Sequence, residues 1–194
     1  MIPIPGFDSI EINWIAIQRE NFVLYGCLLY LASDHDFYEY MNSDGLLDFE
    51  HWTGDDLAVF VVQAPSQKWI EYTRTENHIW WKLFGERTEF LQDYQDVAVL
   101  QTDKGIKTLR EVFAPCLNEF LHEGEIAKIL EWFGLSRPSH PCILLFKDFY
   151  NSNDAWYIDC RDMLNIPKQV LHISLNQWFD GPYFKKIMKE ARNA

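Results

Sequence analysis

The sequence predicts an α/β fold: a central mixed sheet flanked by helices, with a helical insertion at about residues 66–123, in one domain spanning residues 1–194. Three observations predict it. Leu57-Ala-Val-Phe-Val-Val62 is a continuous apolar run rich in β-branched residues, the pattern of a central strand buried on both faces. A second apolar run, residues 22–31, lies upstream with a helical pattern between the two, and strands joined in this way form a parallel βαβ unit. Further on, Pro141 opens an apolar run at 142–146, the polar turn Asn151-Ser-Asn-Asp154 follows, and Ala155-Trp-Tyr-Ile158 completes an antiparallel pair.

Taken in order, residues 10–17 mix apolar side chains with Glu11 and Asn13 and fit a short strand or a helix. Residues 22–31 read as a buried strand in which Gly26 leaves room for a bulge. Ser33 and Asp36 form an N-cap pattern; Phe37, Tyr40 and Met41 follow at helical spacing until Gly45 interrupts. Residues 46–52 continue for a helical turn or two, and Thr53-Gly-Asp-Asp56 turns the chain into the next strand. A capping box at Thr73 and Glu76 precedes Ile79, Trp80, Leu83, Phe84, Phe90, Leu91 and Tyr94, which recur every three or four residues. Residues 97–100 fit a short strand. Thr108 and Glu111 form another capping box, opening the stripe Leu109, Phe113, Cys116, Leu117, Phe120 and Leu121, with a bend expected at Pro115. Ile126, Ile129, Leu130 and Phe133 then fall on one helical face, with Gly134 at the C-cap position. A last helix is expected from about Pro182 to Arg192, with its cations in the later turns, where they suit the helix dipole.

Charge is unevenly distributed. The net charge is −12, from 17 basic and 29 acidic residues. Residues 1–67 hold Asp8, Glu11, Glu20, Asp34, Asp36, Glu39, Asp44, Asp48, Glu50, Asp55 and Asp56 against Arg19 alone, so this third carries −10. Direct nucleic-acid binding calls for the opposite sign, because phosphate contacts dominate that affinity. A hydrophobic content of 48%, with eight Trp, excludes a disordered chain. A chain of this length buries roughly 70% of its unfolded surface, enough for an unaided core. No apolar run reaches the roughly 18 residues that span a bilayer. The first residues carry neither a cationic stretch nor a signal-like apolar core, so the expectation is a cytoplasmic protein without a membrane partner.

Motifs for chemistry are sparse. Cys27, Cys116, Cys142 and Cys160 are widely spaced, with no C-x-x-C, so reduced and mostly buried thiols are expected. The sequence has no dinucleotide fingerprint, P-loop, zinc-protease helix or nucleophile elbow, and no cofactor or metal is expected. His35, His51, His78, His122, His140 and His172 are scattered, and sequence assigns none of them a carboxylate partner. Acid pairs Asp34/Asp36, Asp55/Asp56, Asp93/Asp96 and Glu123/Glu125 lack EF-hand spacing and read as caps and turns.

The ordered set of elements resembles the thioredoxin-like superfamily. The resemblance rests on Asp56-Leu-Ala-Val-Phe-Val-Val-Gln-Ala-Pro65, similar to the central strand that feeds the active-site loop; on residues 126–135, similar to the helix and turn before the proline loop; and on Ser139-His-Pro141-Cys-Ile-Leu-Leu-Phe-Lys147, similar to the cis-proline and its strand. It implies that Pro141 is a structural cis-proline lying beside residues 64–66, with the 57–62 and 142–146 strands as neighbours. Where oxidoreductases of that superfamily carry C-x-x-C or C-x-x-S, the chain has Ala64-Pro-Ser-Gln-Lys-Trp69. The resemblance is thus to a redox-inactive member.

Aromatic and acidic residues interleave between 33 and 52. Phe37, Tyr38, Tyr40, Phe49 and Trp52 stand among acids, and a short helix is not expected to turn them all inward. Tyr and Trp suit interfaces, and surrounding acids steer a basic partner. The candidate partner-binding set is Asp34, Asp36, Tyr38, Glu39, Asp44, Asp48 and Glu50; no residue is expected to be catalytic. The function expected is a non-catalytic, acidic protein-binding module for a basic protein, such as an immunity protein or an accessory subunit of a bacterial defence or toxin system. The alternative is a thiol- or glutathione-dependent enzyme. Self-association is compatible with either.

Overall fold

The structure, a computed structural model, describes residues 1–75, 78–84, 98–102, 105–135, 141–151, 155–163 and 166–193. In chain order the elements are β1 (Ile2–Ile4), α1 (Asp8–Gln18), β2 (Leu24–Leu29), α2 (His35–Tyr40), a π-helical turn (Met41–Gly45), α3 (Leu46–Thr53), β3 (Leu57–Val62), α4 (Gln67–Thr75) and α5 (Ile79–Phe84). There follow β4 (Ala98–Thr102), β5 (Gly105–Thr108), α6 (Leu109–Val112), a 3-10 turn (Ala114–Leu117), α7 (Glu119–Trp132), β6 (Cys142–Phe146), β7 (Trp156–Asp159), a 3-10 turn (Arg161–Met163), α8 (Lys168–Phe179) and α9 (Pro182–Asn193).

The fold is mixed α/β, as expected. Five strands form one open sheet in the order β1-β3-β2-β6-β7, and β4 pairs with β5 in a separate hairpin. β1 and β2 run parallel to β3, β6 runs antiparallel to β2, and β7 runs antiparallel to β6. Every residue of β2, β3 and β6 is buried, as their continuous apolar runs require. The chain crosses from β1 over to β2 and back to β3, all parallel, and the right-handed rule for such crossovers puts α1 and α2–α3 on opposite faces. α2 and α3 pack with α8, α5 packs on β1 and α1, and α7 packs on β3.

One expectation about the sheet is overturned. β3 and β6 are not neighbours, because β2 lies between them, with Leu28 opposite Val61 on one side and Ile143 on the other. Pro141 is therefore level with the end of β2 rather than with residues 64–66. Its preceding residue, His140, lies outside the described residues, as does the bond expected to be cis.

Local expectations were met unevenly. Gly26 makes no bulge: β2 keeps continuous register with both neighbours. A Cβ there would lie 2.8 Å from the Leu144 carbonyl oxygen and 2.9 Å from Leu145 Cδ2, so the close strand approach is what requires glycine. Gly45 does not interrupt the helix; the chain passes through the π-helical turn into α3. The N-cap position of α2 is Asp34 rather than Ser33. Thr73 is no cap either, since it sits within α4 and its hydroxyl donates to the Trp69 carbonyl at 3.0 Å, while Glu76 lies outside the described residues. The Thr108–Glu111 capping box is present, and Pro115 falls in a 3-10 turn that separates α6 from α7. Gly134 has φ 68° and ends α7 as expected. The insertion holds the β4–β5 hairpin as well as helices, and the stripe residues Phe90, Leu91 and Tyr94 lie outside the described residues. β1 and α8 had no counterpart in the sequence reading. β1 is an edge strand, where Pro3 is tolerated.

Aromatic side chains account for much of the core. Trp14 packs edge-on against Tyr25 at 4.6 Å and near Phe146 and Phe149. Trp69, Trp80 and Trp81 form a chain of T-shaped contacts, and the Trp80 indole donates to the Pro3 carbonyl at 2.9 Å, tying α5 to β1. Each such burial is worth about 1.5–3 kcal/mol or more.

Candidate functional site

Ligands of open α/β sheets bind in the crevice at the carboxyl ends of the strands, where consecutive crossovers leave to opposite faces. Here that crevice lies between β2 and β3. The register sets Leu28 against Val61, so Tyr30 and Gln63, two positions on, stand level with each other just past the strand ends. The Tyr30 hydroxyl donates to Gln63 Oε1. The Gln63 amide donates in turn to the Met41 carbonyl at 3.0 Å and to Asn42 Oδ1 at 3.2 Å. His122, brought in by the first turn of α7, shares a hydrogen bond between Nε2 and the Val62 carbonyl at 2.9 Å. Burial first, then Cys116 and Tyr38, push the Tyr30 phenol well above its ordinary value, which keeps it a donor. Tyr30, Gln63 and His122 are all buried, so the crevice is filled by the chain's own side chains.

The loop that leaves β2 toward α2 is Tyr30-Leu31-Ala32-Ser33-Asp34, facing the Pro141–Cys142 junction across the β2–β6 pairing. It contains no cysteine. Asp34 is buried and accepts a hydrogen bond from the Leu31 amide at 2.8 Å. Burial pushes the Cys142 thiol up to about 12; a hydrogen bond with Tyr157 opposes this, and Asp159 and then Asp34 add lesser upward effects. Cys116 and Cys160 are likewise pushed up to about 12, mainly by burial, and Cys27 is raised further. All four cysteines are free thiols, and Cys27, Cys142 and Cys160 are buried.

The structure separates the candidate binding residues into two groups. Asp36, Glu39 and Asp44 are exposed, with Lys68 reaching Asp44 at 2.9 Å. Asp34, Asp48 and Glu50 are drawn into internal contacts. Asp48 accepts from the Tyr40 hydroxyl at 2.6 Å and meets His172 Nδ1 at 3.0 Å. Glu50 holds the amino group of Met1 and meets His78 Nε2 at 3.1 Å. The helix–π–helix segment turns Phe37, Tyr40 and Phe49 fully inward, whereas Tyr38 and Trp52 are half-buried. Tyr38 packs edge-on against Tyr30 at 6.2 Å, and Trp52 stacks on Phe179.

The sequence could not reveal the Glu50–His78 and Asp48–His172 pairs, because 28 and 124 residues separate their members. His78 has a defined tautomer. Its Nδ1 accepts from the Trp80 amide at 3.1 Å, so the proton sits on Nε2 and points to Glu50. Burial first, then the Met1 amino group, push this imidazole down to about 3. Of the acid pairs, Glu125 accepts from the Phe7 amide at 2.8 Å and from Lys128 at 2.6 Å. Asp56 pairs with Arg192. Asp93, Asp96 and His140 lie outside the described residues. Among the described residues no cluster of three or more His, Cys, Asp or Glu is arranged to hold a metal ion, and no helix is long and apolar enough to cross a membrane.

Comparison with known proteins returned no matching family model, and no curated protein or solved structure matched significantly.

Proposed function

We propose that this chain is a non-catalytic, acidic protein-binding module of thioredoxin-like fold that docks a basic protein, in the manner of an immunity protein or an accessory subunit of a bacterial defence or toxin system. One observation carries the reading. Of the eleven acids in residues 1–67, Asp8, Glu11, Glu20, Asp36, Glu39, Asp44, Asp55 and Asp56 are exposed, so the acid surplus of this third remains on the surface. A field of one sign accelerates encounter with a partner of the other.

The order βαβαβ, then helices, hairpin and terminal helices, supports the thioredoxin-like part. On this reading the central strand β2 is the one that feeds the superfamily's active-site loop, which then corresponds to residues 30–34. A thiol-dependent enzyme of that fold requires a low-pKa cysteine there. This loop has none, and burial raises the chain's thiols.

The test is surface plasmon resonance against the basic protein recovered by affinity capture from the native host. Reversing Asp36 and Glu39 to Lys should slow association at least severalfold at low salt. The difference should shrink in about 0.5 M salt, since screening already acts within about 8 Å at physiological ionic strength. Equal association rates for parent and variant at both salts would remove this face from the interface.

A further inference from the structure

The 3-10 turn at Ala114–Leu117 and the start of α7 leave a group of apolar side chains uncovered beside the filled crevice. Phe120 is 81% exposed, the most of any aromatic residue among those described, with Leu117 at 68% and Leu121 at 49%. Exposed apolar groups with a polar rim mark interaction sites. Gly124 follows Phe120 by one turn on the same side of the helix. A Cβ at Gly124 would meet nothing within 4 Å, so the chain's own packing does not call for glycine there, although glycine weakens a helix relative to alanine. The rim is acidic. Residues 111–127 hold Glu111, Glu119, Glu123 and Glu125 and no Lys or Arg. Glu111 serves the cap of α6, and Glu125 serves the Phe7 amide and Lys128, whereas Glu119 and Glu123 are exposed. Arg110, just upstream, is engaged within the chain. The Tyr30 ring stands 5.9 Å from the His122 ring and 6.2 Å from the Tyr38 ring, so the starts of α7 and α2 flank one crevice.

We infer that the start of α7 docks an amphipathic basic helix of the partner, with Phe120 as the central anchor. This rests on the reading that the chain binds a basic protein, and it names the surface that holds that protein once charge has brought it near. Each part of such a helix has a counterpart. Its apolar stripe covers Leu117, Phe120 and Leu121. Its backbone comes close over Gly124, where no side chain intervenes, as ridge-into-groove packing requires. Its Lys or Arg residues flank Glu119 and Glu123. A second copy docking by this same face would instead set Glu119 and Glu123 against like charge. Across the crevice, the exposed acids of α2 act at longer range on the encounter, whereas a buried aromatic anchor governs how long the complex lasts.

The probe is a short peptide of leucine and lysine at helical spacing, with an all-lysine peptide of equal charge as control. Fluorescence anisotropy reads affinity and methyl NMR reads location. The leucine–lysine peptide should bind the parent more tightly than the control and should shift the Leu117 and Leu121 methyls. Phe120→Ser should weaken that binding about tenfold and change the all-lysine affinity by less than about twofold. Gly124→Gln should raise the melting temperature, because it restores helix propensity, and yet weaken binding about fivefold, a split that a purely structural glycine would not give. Glu119→Lys with Glu123→Lys should weaken binding severalfold at low salt and less in about 0.5 M salt. Thermal melts of each variant confirm that it is folded. Parental affinity in folded Phe120→Ser or Gly124→Gln, or equal affinity for a leucine–glutamate peptide, would overturn the inference. Self-association of the parent that Phe120→Ser abolishes would overturn it too, giving the face to a second copy. If both lysine peptides bind but the Leu117 and Leu121 methyls stay unmoved, the inference falls and the acidic-binder reading survives on another face. If neither peptide binds the parent at low salt, both fall.

Discussion

Gly26 and His78 show how single positions carry the architecture. At Gly26 a Cβ would strike the Leu144 backbone of β6 as well as the Leu145 side chain. Gly26→Ala should destabilise the protein by about 1–3 kcal/mol through overpacking, read as a lower urea midpoint with an unchanged slope. His78 is held neutral between the Trp80 amide and Glu50. Its folded value of about 3 lies below the ordinary 6.5, so the unfolded chain binds its proton more readily. The stability tied to neutral His78 is therefore full above about pH 6.5 and is lost as pH falls from there toward 3. Buried His122, also shifted down chiefly by burial, acts in the same direction. Between pH 7.5 and pH 5 the parent should lose about 1–2 kcal/mol through His78. His78→Gln should flatten that part of the profile in urea titrations, and an equally steep loss in the variant would refute the assignment.

At the scale of elements, helix boundaries decide where polar side chains arrive. α7 begins at Glu119 because Asn118 caps it, its Oδ1 accepting from the Leu121 amide at 3.1 Å. That start places His122 one turn later beneath the Val62 carbonyl. Asn118→Ala should cost about 1 kcal/mol in denaturant melts, the usual loss for a cap, and should broaden or shift the imidazole resonances of His122. A variant with parental stability would mean that the Pro115-containing turn alone defines the helix start. The α2–π–α3 segment makes a related point. Its extra residue per turn rotates the following helix, so that Phe37, Tyr40, Met41, Leu46 and Phe49 all reach the core, although no single regular helix presents them on one face.

At the scale of the whole molecule, one cluster of buried side chains runs from Met1 to Ala191, and three of the four thiols lie within it. Raised by burial, these thiols should react with a disulfide reagent at pH 8 only as fast as the protein unfolds, with Cys116, half-buried, reacting first. The protein should not reduce insulin disulfides with dithiothreitol above background, because the loop facing Pro141 has no thiol. Rapid stoichiometric labelling of the folded protein, or insulin reduction abolished by Cys142→Ser, would restore a thiol chemistry. The surface charge works at the same scale: the acids that stay exposed set the field, whereas Asp34, Asp48 and Glu50 are consumed in internal contacts.

The sequence by itself determined what is local. Continuous apolar runs marked β2, β3 and β6, the turn at 151–154 marked the β6–β7 pair, and Thr108 with Glu111 marked the start of α6. Residues 10–17 show where local information ended, because Ile10, Ile12 and Trp14 alternate like a strand while Ile10, Trp14 and Ile17 repeat like a helix. Packing of Trp14 against Tyr25, Phe146 and Phe149 settled that element as α1 and left Ile12 and Ile15 outside. Tertiary structure alone decided that β2 separates β3 from β6, that Tyr30 and Gln63 fill the crevice between β2 and β3, and which acids remain exposed. It also brought Met1, Ile2, Glu20, Phe22, Glu50 and His78, distant in sequence, around one cleft. The physical reason is the range of the interactions. Backbone propensity, capping and hydrophobic periodicity act within a few residues, whereas strand neighbours, buried hydrogen bonds and charge compensation arise only when distant segments share one core.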